Sequence, residues 1–226
     1  MKPDNKPPVI LVHGILMPCI QLIPMQKRLE AAGFEVHRYC YATISQTMQQ
    51  NADGLADMLA SKSLDQCCFV GHSMGGLVIH RFLQHHPDFP PCRVVALGSP
   101  FGGSVVARRL SQWPLAGSMI IGKKRGSSLE HGAQPWPDKH RLGVIAGDKP
   151  LGIGCMLARL PKPHDGVVSL AETAIPGMSE RVIIPVNHMG LMFSARAARL
   201  TERFLEYGSF GDTAEGRSVK PEGDKA

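Results

Sequence analysis

Gly71-His72-Ser73-Met74-Gly75 places a serine midway between two glycines. This G-x-S-x-G spacing suits a serine on a sharp strand-to-helix turn. Such a turn leaves no room for side chains at the two outer positions and lifts the hydroxyl clear of the backbone. The flanks agree with this: Cys67 to Val70 is an apolar run before the serine, and Leu77, Ile79, Phe82 and Leu83 recur at helical spacing after it, until Pro87. A hydroxyl so placed can attack an acyl carbonyl if a base takes its proton and donors receive the charge on the carbonyl oxygen.

The donors are expected on backbone. One is the N–H of Met74; the other is the N–H of Ile15, in His13-Gly14-Ile15 directly after the apolar run Val9 to Val12. His13 is read as shaping that loop, not as a proton carrier. Ten histidines compete for the role of base. His188, in Asn187-His188-Met189-Gly190, has both the chain order and the strand-to-loop context. His80, His85 and His86 fall on a helix and are expected to face solvent, His37 lies in a strand, and His131, His140 and His164 lie in loops. His72 adjoins the serine but is expected to point away along the turn. Two carboxylates could orient the base: Asp148, closing Ala146-Gly147-Asp148, and Asp165, in His164-Asp165-Gly166-Val167-Val168-Ser169.

Elements able to hold these residues alternate along the chain. Short β-branched runs at Val9 to His13, Glu35 to Tyr41, Cys67 to Gly71, Arg93 to Leu97, Leu142 to Ala146 and Arg181 to Pro185 are separated by helical patterns. That alternation predicts an α/β domain with a mostly parallel sheet of at least six strands and helices on both faces. Helices are expected over Pro24 to Ala32, after a Ser45 cap with Met48, Ala52, Leu55 and Leu59 on one face, after Ser73, over Ser104 to Trp113, and through Ala197, Leu200, Phe204 and Tyr207 to Gly208. Residues 114–140, rich in Gly, Ser and Pro, are expected to form a lid or cap. The catalytic domain is expected to span 1–207, and 208–226, poor in large apolar residues, to form a disordered tail.

The chain has 226 residues, 43% hydrophobic and 19% charged, enough for one sizeable core. A net charge of +6 and a pI near 9.1 come from scattered basic residues without a basic block, so nucleic acid is not an expected partner. No apolar run approaches the roughly 20 residues of a membrane span, which leaves peripheral contact with a membrane surface open. Six cysteines show neither CxxC spacing nor interleaved histidines, so no metal site is expected. No export leader is read at Met1 to Pro8, and a cytoplasmic chain with reduced thiols is the expectation.

Together these residues resemble the α/β-hydrolase superfamily, and within it the esterase and lipase branch that includes bacterial triacylglycerol lipases. The resemblance covers residues 8 to about 207. It is carried by His13-Gly14, Gly71-His72-Ser73-Met74-Gly75-Gly76, Gly98-Ser99-Pro100-Phe101-Gly102-Gly103-Ser104, Asp165-Gly166-Val167-Val168 and His188. It implies a Ser73, Asp165, His188 triad, because in that family an Asp-Gly-Val-Val type motif carries the acid. It also implies that Ser99 and Ser104 are structural or pocket residues. No export signal and only a short excursion in place of a helical lid are expected, and in both the chain would depart from the secreted lipases.

The reaction implied is two-step hydrolysis of a carboxylic ester through an acyl-enzyme, which requires no metal or cofactor. Leu16 and Met17, in the apolar stretch Ile15 to Ile23, and Phe101 in the loop after the fourth strand, are expected at an acyl pocket; core packing is the competing reading for that stretch. Lys123-Lys124-Arg125 could meet an anionic group or simply face water. A thioesterase or acyltransferase would use the same triad, and a non-catalytic binding protein could use the same fold.

Overall fold

The computed structural model describes residues 6–113, 117, 121–124, 127–211 and 217–219. Its centre is a seven-stranded sheet in the order β2-β1-β3-β4-β5-β6-β7. The strands are β1 (Val9–Val12), β2 (Val36–Tyr39), β3 (Cys68–His72), β4 (Arg93–Leu97), β5 (Arg141–Gly147), β6 (Glu180–Ile184) and β7 (Arg217–Val219). The first six are parallel, and β7 pairs antiparallel with β6. The six runs read from sequence are these six strands, displaced by at most two residues at an end.

Alternation along each strand divides the core into two layers. Ile10, Val12, Phe69, Val94, Ala96 and Val144 face α2 (Met48–Ser61) and α3 (Met74–His85). Val9, Leu11, Val70, Val95, Leu97 and Ile145 face α1 (Ile23–Ala31) and α8 (Ala195–Tyr207) on the other side. Because both faces are covered, the strands are apolar at successive positions. The chain runs from β1 to β2 on one side and then to β3 on the other. The carboxyl ends of β1 and β3 therefore flank a switch point, where open α/β sheets leave a crevice.

Three expectations are corrected. First, α2 is capped by Thr47, not Ser45: the Thr47 hydroxyl accepts from Gln50 N–H at 3.1 Å and the Gln50 amide oxygen accepts from Thr47 N–H at 2.9 Å. This reciprocal pair satisfies two helix-end donors, which Ser45 is too far from the first turn to do. Second, Cys19 and Cys40 form a disulfide, with Cα atoms 5.5 Å apart. Both follow the ends of neighbouring parallel strands, so the sheet brings together two residues whose spacing in sequence gave no hint of it. Third, order continues past Gly208. Phe210 is buried, with its ring 4.8 Å from that of Phe204, and residues 217–219 form β7. The rest of the expected tail, and residues 114–116, 118–120 and 125–126 of the expected lid, lie outside the described residues.

The described residues also include the short helices α4 (Val105–Ser111), α5 (Ser128–His131), α6 (Gly154–Leu157) and α7 (Gly190–Phe193). Among the described residues no helix is long and apolar enough to cross a membrane.

Candidate active site

Ser73 stands between β3 and α3 with φ 53° and ψ −123°, a backbone conformation costly for a residue with a Cβ. Its N–H donates to the Leu97 carbonyl at 2.9 Å, fixing the turn to β4. A methyl on Gly71 would run into the Gly75 and Gly76 backbone, and one on Gly75 into the Val12 carbonyl, so both glycines are required by close backbone approach. Met74 is the first residue of α3, where the helix offers its N–H no internal partner.

The loop after β1 passes directly against the serine: a Cβ on Gly14 would lie 2.9 Å from the Ser73 Cβ. His13, buried, shapes this loop. The Tyr41 N–H donates to its Nε2 at 3.3 Å, which puts the ring proton on Nδ1, and Nδ1 gives it to the Gly14 carbonyl at 2.9 Å. Burial lowers the His13 pKa, with the Gly14 contact opposing, so the ring stays neutral. Ile15, the expected second donor, comes next. Leu16, after it, sits at φ 57° and donates its N–H to the Thr43 hydroxyl at 3.2 Å.

His188 and Asp165 are brought together with Nδ1 2.7 Å from Oδ2, both side chains buried. Oδ1 of Asp165 accepts from the N–H groups of Val167, at 2.9 Å, and Val168, at 2.7 Å. Gly166, at φ 97°, permits that turn. Burial by itself would raise the Asp165 pKa, but the facing His188 and the two N–H donors outweigh it and hold the carboxyl below its ordinary range. The turn folds back over the end of β5, where a Cβ on Gly147 would lie 2.9 Å from the Asp165 Cβ. Asp165 thereby takes the place beside the histidine, and Asp148 does not reach it; its Oδ1 is buried without a hydrogen-bond partner. Glu172, which sequence reasoning passed over, anchors the turn from behind. Its carboxylate accepts from Val105 N–H, Ser169 N–H and the Ser169 hydroxyl at 2.6 to 2.7 Å.

Two histidine expectations are overturned. His72 does not point away: its Nε2 donates to the His188 carbonyl at 3.0 Å, its Nδ1 lies 3.0 Å from the Met17 sulfur, and the two imidazoles are 4.7 Å apart. Burial, followed by the nearby His188, pushes the His72 pKa down to about 3, so it remains a neutral donor. His80 is buried rather than solvent-facing. Its ring lies 5.5 Å from that of Trp136, and Nε2 donates to the Pro135 carbonyl at 3.3 Å.

Ser73 and His188 open on one cavity of about 370 Å³ with a mainly apolar wall. Ile15, Leu16 and Met17 contribute to it, as do Ile121 and Leu129 from the expected lid stretch. Phe101 does not: it is buried in the core against Trp136 and His80, with ring centroids at 5.9 Å and 6.4 Å, because its loop turns the ring under α3. Sequence reasoning missed the other wall, residues 149–163, from which Leu151, Ile153 and Leu157 line the cavity. The signal was Leu151-Gly152-Ile153-Gly154, an apolar stretch broken by glycines where no strand or long helix fits. Leu151 and Ile153 are about two-thirds exposed and form part of an apolar rim with Leu16 and Met189. A second cavity, of about 430 Å³ beside Gln49, Arg81 and Lys123, holds none of these groups. Among the described residues no cluster of three or more His, Cys, Asp and Glu could hold a metal ion.

No protein-family model matches the chain, and no curated protein matches it in sequence. Solved structures do match in shape. The mature form of a lipase from Bacillus licheniformis superimposes with a TM-score of 0.70 at 22% identity, over 91% of this chain and 93% of that one. A metagenomic carboxyl esterase follows with a TM-score of 0.66 at 19% identity, over 90% and 76%. A thermophilic esterase from Thermogutta terrifontis gives 0.61 at 17% identity, over 88% and 89%. The chain has the α/β-hydrolase fold, and its structural neighbours include bacterial lipases and carboxylesterases.

Proposed function

We propose that this chain is a serine hydrolase of carboxylic esters with an apolar acyl group, in which Ser73, His188 and Asp165 form the triad. The observation that carries the reading is the buried Asp165–His188 pair, whose histidine lines one apolar cavity with a serine held in a strained turn. Asp165 accepts the proton on Nδ1 of His188, which leaves the Nε2 lone pair for the Ser73 hydroxyl. As Ser73 Oγ bonds to the ester carbon, its proton passes to Nε2 and the carbonyl oxygen gains charge, received by the N–H groups of Ile15 and Met74. The protonated imidazole then gives its proton to the departing alkoxide. Water, deprotonated by the same nitrogen, repeats the sequence and releases the acid.

The cavity favours an acyl chain, and its exposed apolar rim suits substrates presented at a lipid surface. A cytoplasmic location fits less well, since a disulfide such as Cys19–Cys40 persists best in an oxidising compartment. The test is labelling with a fluorophosphonate probe, with p-nitrophenyl esters of rising chain length and acyl-CoA assayed in parallel. The wild type should label and Ser73→Ala should not. A folded wild type that stays unlabelled refutes the reading, and preference for acyl-CoA would move the substrate to thioesters.

A further inference from the structure

We infer that residues 40–43, fastened by the Cys19–Cys40 disulfide, form a splint that positions the oxyanion loop, so that ester turnover depends on the oxidation of this one cysteine pair. The inference rests on the proposed ester-hydrolase reading and names positioning residues that act through Ile15.

The loop from His13 to Leu22 carries the second oxyanion donor and part of the cavity wall. Its conformation comes from outside itself. Beside the His72–Met17 contact, three ties hold it from the four residues that follow β2. Tyr41 binds His13 through backbone N–H to Nε2, through its hydroxyl to the His13 carbonyl at 2.6 Å, and by ring stacking at 4.4 Å. Thr43 accepts the Leu16 N–H at 3.2 Å. Cys40 is bonded to Cys19, at the start of the short 3-10 turn Cys19–Leu22. The ties bracket Ile15 on both sides.

What they hold is strained. Leu16 has φ 57°, which a leucine keeps only where its surroundings over-determine it. Gly14, before Ile15, is wedged against Ser73. Ile15 therefore lies between a contact with the nucleophile and a residue held against its own preference, and a small relaxation at Leu16 would swing the donor off the carbonyl oxygen. The hydrogen-bonded ties are individually weak, so the covalent one secures the loop's far end.

Cys40 is exposed and Cys19 half-buried, so small thiols can reach the bond, whereas Cys67, Cys68 and Cys92 are buried. A dithiol reductant attacks one sulfur as thiolate and the S–S bond breaks, releasing one cysteine; the second reductant thiolate then attacks the reductant sulfur of the mixed disulfide and releases the other cysteine. The products are two protein thiols and a cyclic disulfide, with two electrons transferred.

The experiment uses the full chain. Alkylation of the native, unreduced protein should modify no more than four cysteines, and peptide mapping should join Cys19 to Cys40; alkylation of both under these conditions overturns the inference. Turnover per active site, titrated with the fluorophosphonate so that any unfolded fraction is left out, should fall about 5- to 50-fold on reduction, with KM changing less than 3-fold. Affinity for a trifluoromethyl ketone, which mimics the tetrahedral oxyanion, should fall in parallel, and reoxidation should restore both. The Cys19→Ser/Cys40→Ser double variant should match the reduced wild type and ignore reductant, while Cys155→Ser, whatever its basal turnover, should lose the same fraction of it on reduction as the wild type does. Equal turnover and equal ketone affinity in the oxidised, reduced and double-variant proteins would refute the splint while leaving the triad standing. Absence of labelling in every form would instead refute the triad.

Discussion

Nδ1 of His188 and Oδ2 of Asp165 stand 2.7 Å apart with both side chains buried, and the second oxygen of the same carboxylate is already occupied by two backbone N–H groups. The carboxylate therefore has one free direction, toward the imidazole. In that arrangement the carboxylate chooses the tautomer of His188 as well as attracting it, and its removal should cost more than a lost charge.

Asp165→Asn should lower kcat on a p-nitrophenyl ester by on the order of 10³- to 10⁴-fold with little change in KM, because the amide can donate to Nδ1 and so favour the wrong tautomer. Asp148→Asn should retain activity within a few-fold. Steady-state kinetics on both variants decides the choice, and the opposite ranking would hand the role to Asp148.

His72 gives a prediction about pH. Its folded pKa of about 3 lies below the ordinary 6.5, so between those values the folded chain binds fewer protons than the unfolded one. The stability this group contributes is complete above about pH 6.5 and is lost as pH falls toward 3, at up to about 1.4 kcal/mol per pH unit. Asp165, whose folded pKa is also lowered, contributes stability that is present above its ordinary value near 3.8 and is lost only below it, so it does not confuse this window. Urea unfolding of the wild type and His72→Gln at pH 7, 6 and 5 should show a flatter loss in the variant. Parallel slopes would mean that His72 can be protonated without cost.

How legible the site was from sequence depended on whether its parts are local. The elbow around Ser73 was readable because strand, turn glycines and helix lie within some twenty residues, each with its own signature. Asp165 could be chosen over Asp148 only by resemblance; the physical reason, the fold-back of the Gly166 turn over Gly147, is a tertiary contact. His72 was misread for the same cause, since its partner is the carbonyl of a residue 116 positions away. Cys19 and Cys40 meet only because β1 and β2 are neighbours in the sheet. The wall at Leu151, Ile153 and Leu157 has neither the period of a strand nor that of a helix, so periodicity could not find it.

Gly98 lies under the Asp165–His188 pair at φ 59°, where an added Cβ would stand 3.1 Å from both the Asp165 Oδ2 and the His188 Nδ1. Gly98→Ala should therefore cost about 1–3 kcal/mol of stability from the backbone alone and should also shift the imidazole. The expected result is a fall of at least tenfold in kcat that persists at temperatures where the variant is fully folded by circular dichroism. Full activity in a merely less stable variant would show that the pair can move without penalty.

The last prediction concerns the cavity wall. Ala107 is buried on α4 and lines the space beside Val106 and Leu110. Ala107→Leu adds three carbons there without touching Ser73, His188 or Asp165, so it should exclude the far end of a long acyl chain and leave a short one unaffected. Each methylene that loses its place in an apolar pocket is worth about 1–3 kcal/mol. In a p-nitrophenyl ester series, kcat/KM for the longest chain the wild type accepts should fall tenfold or more while that for acetate stays within twofold. A uniform loss across the series would mean that the substitution acts on the fold. An unchanged series would mean that the acyl chain leaves Ser73 in another direction, toward Leu151 and Ile153.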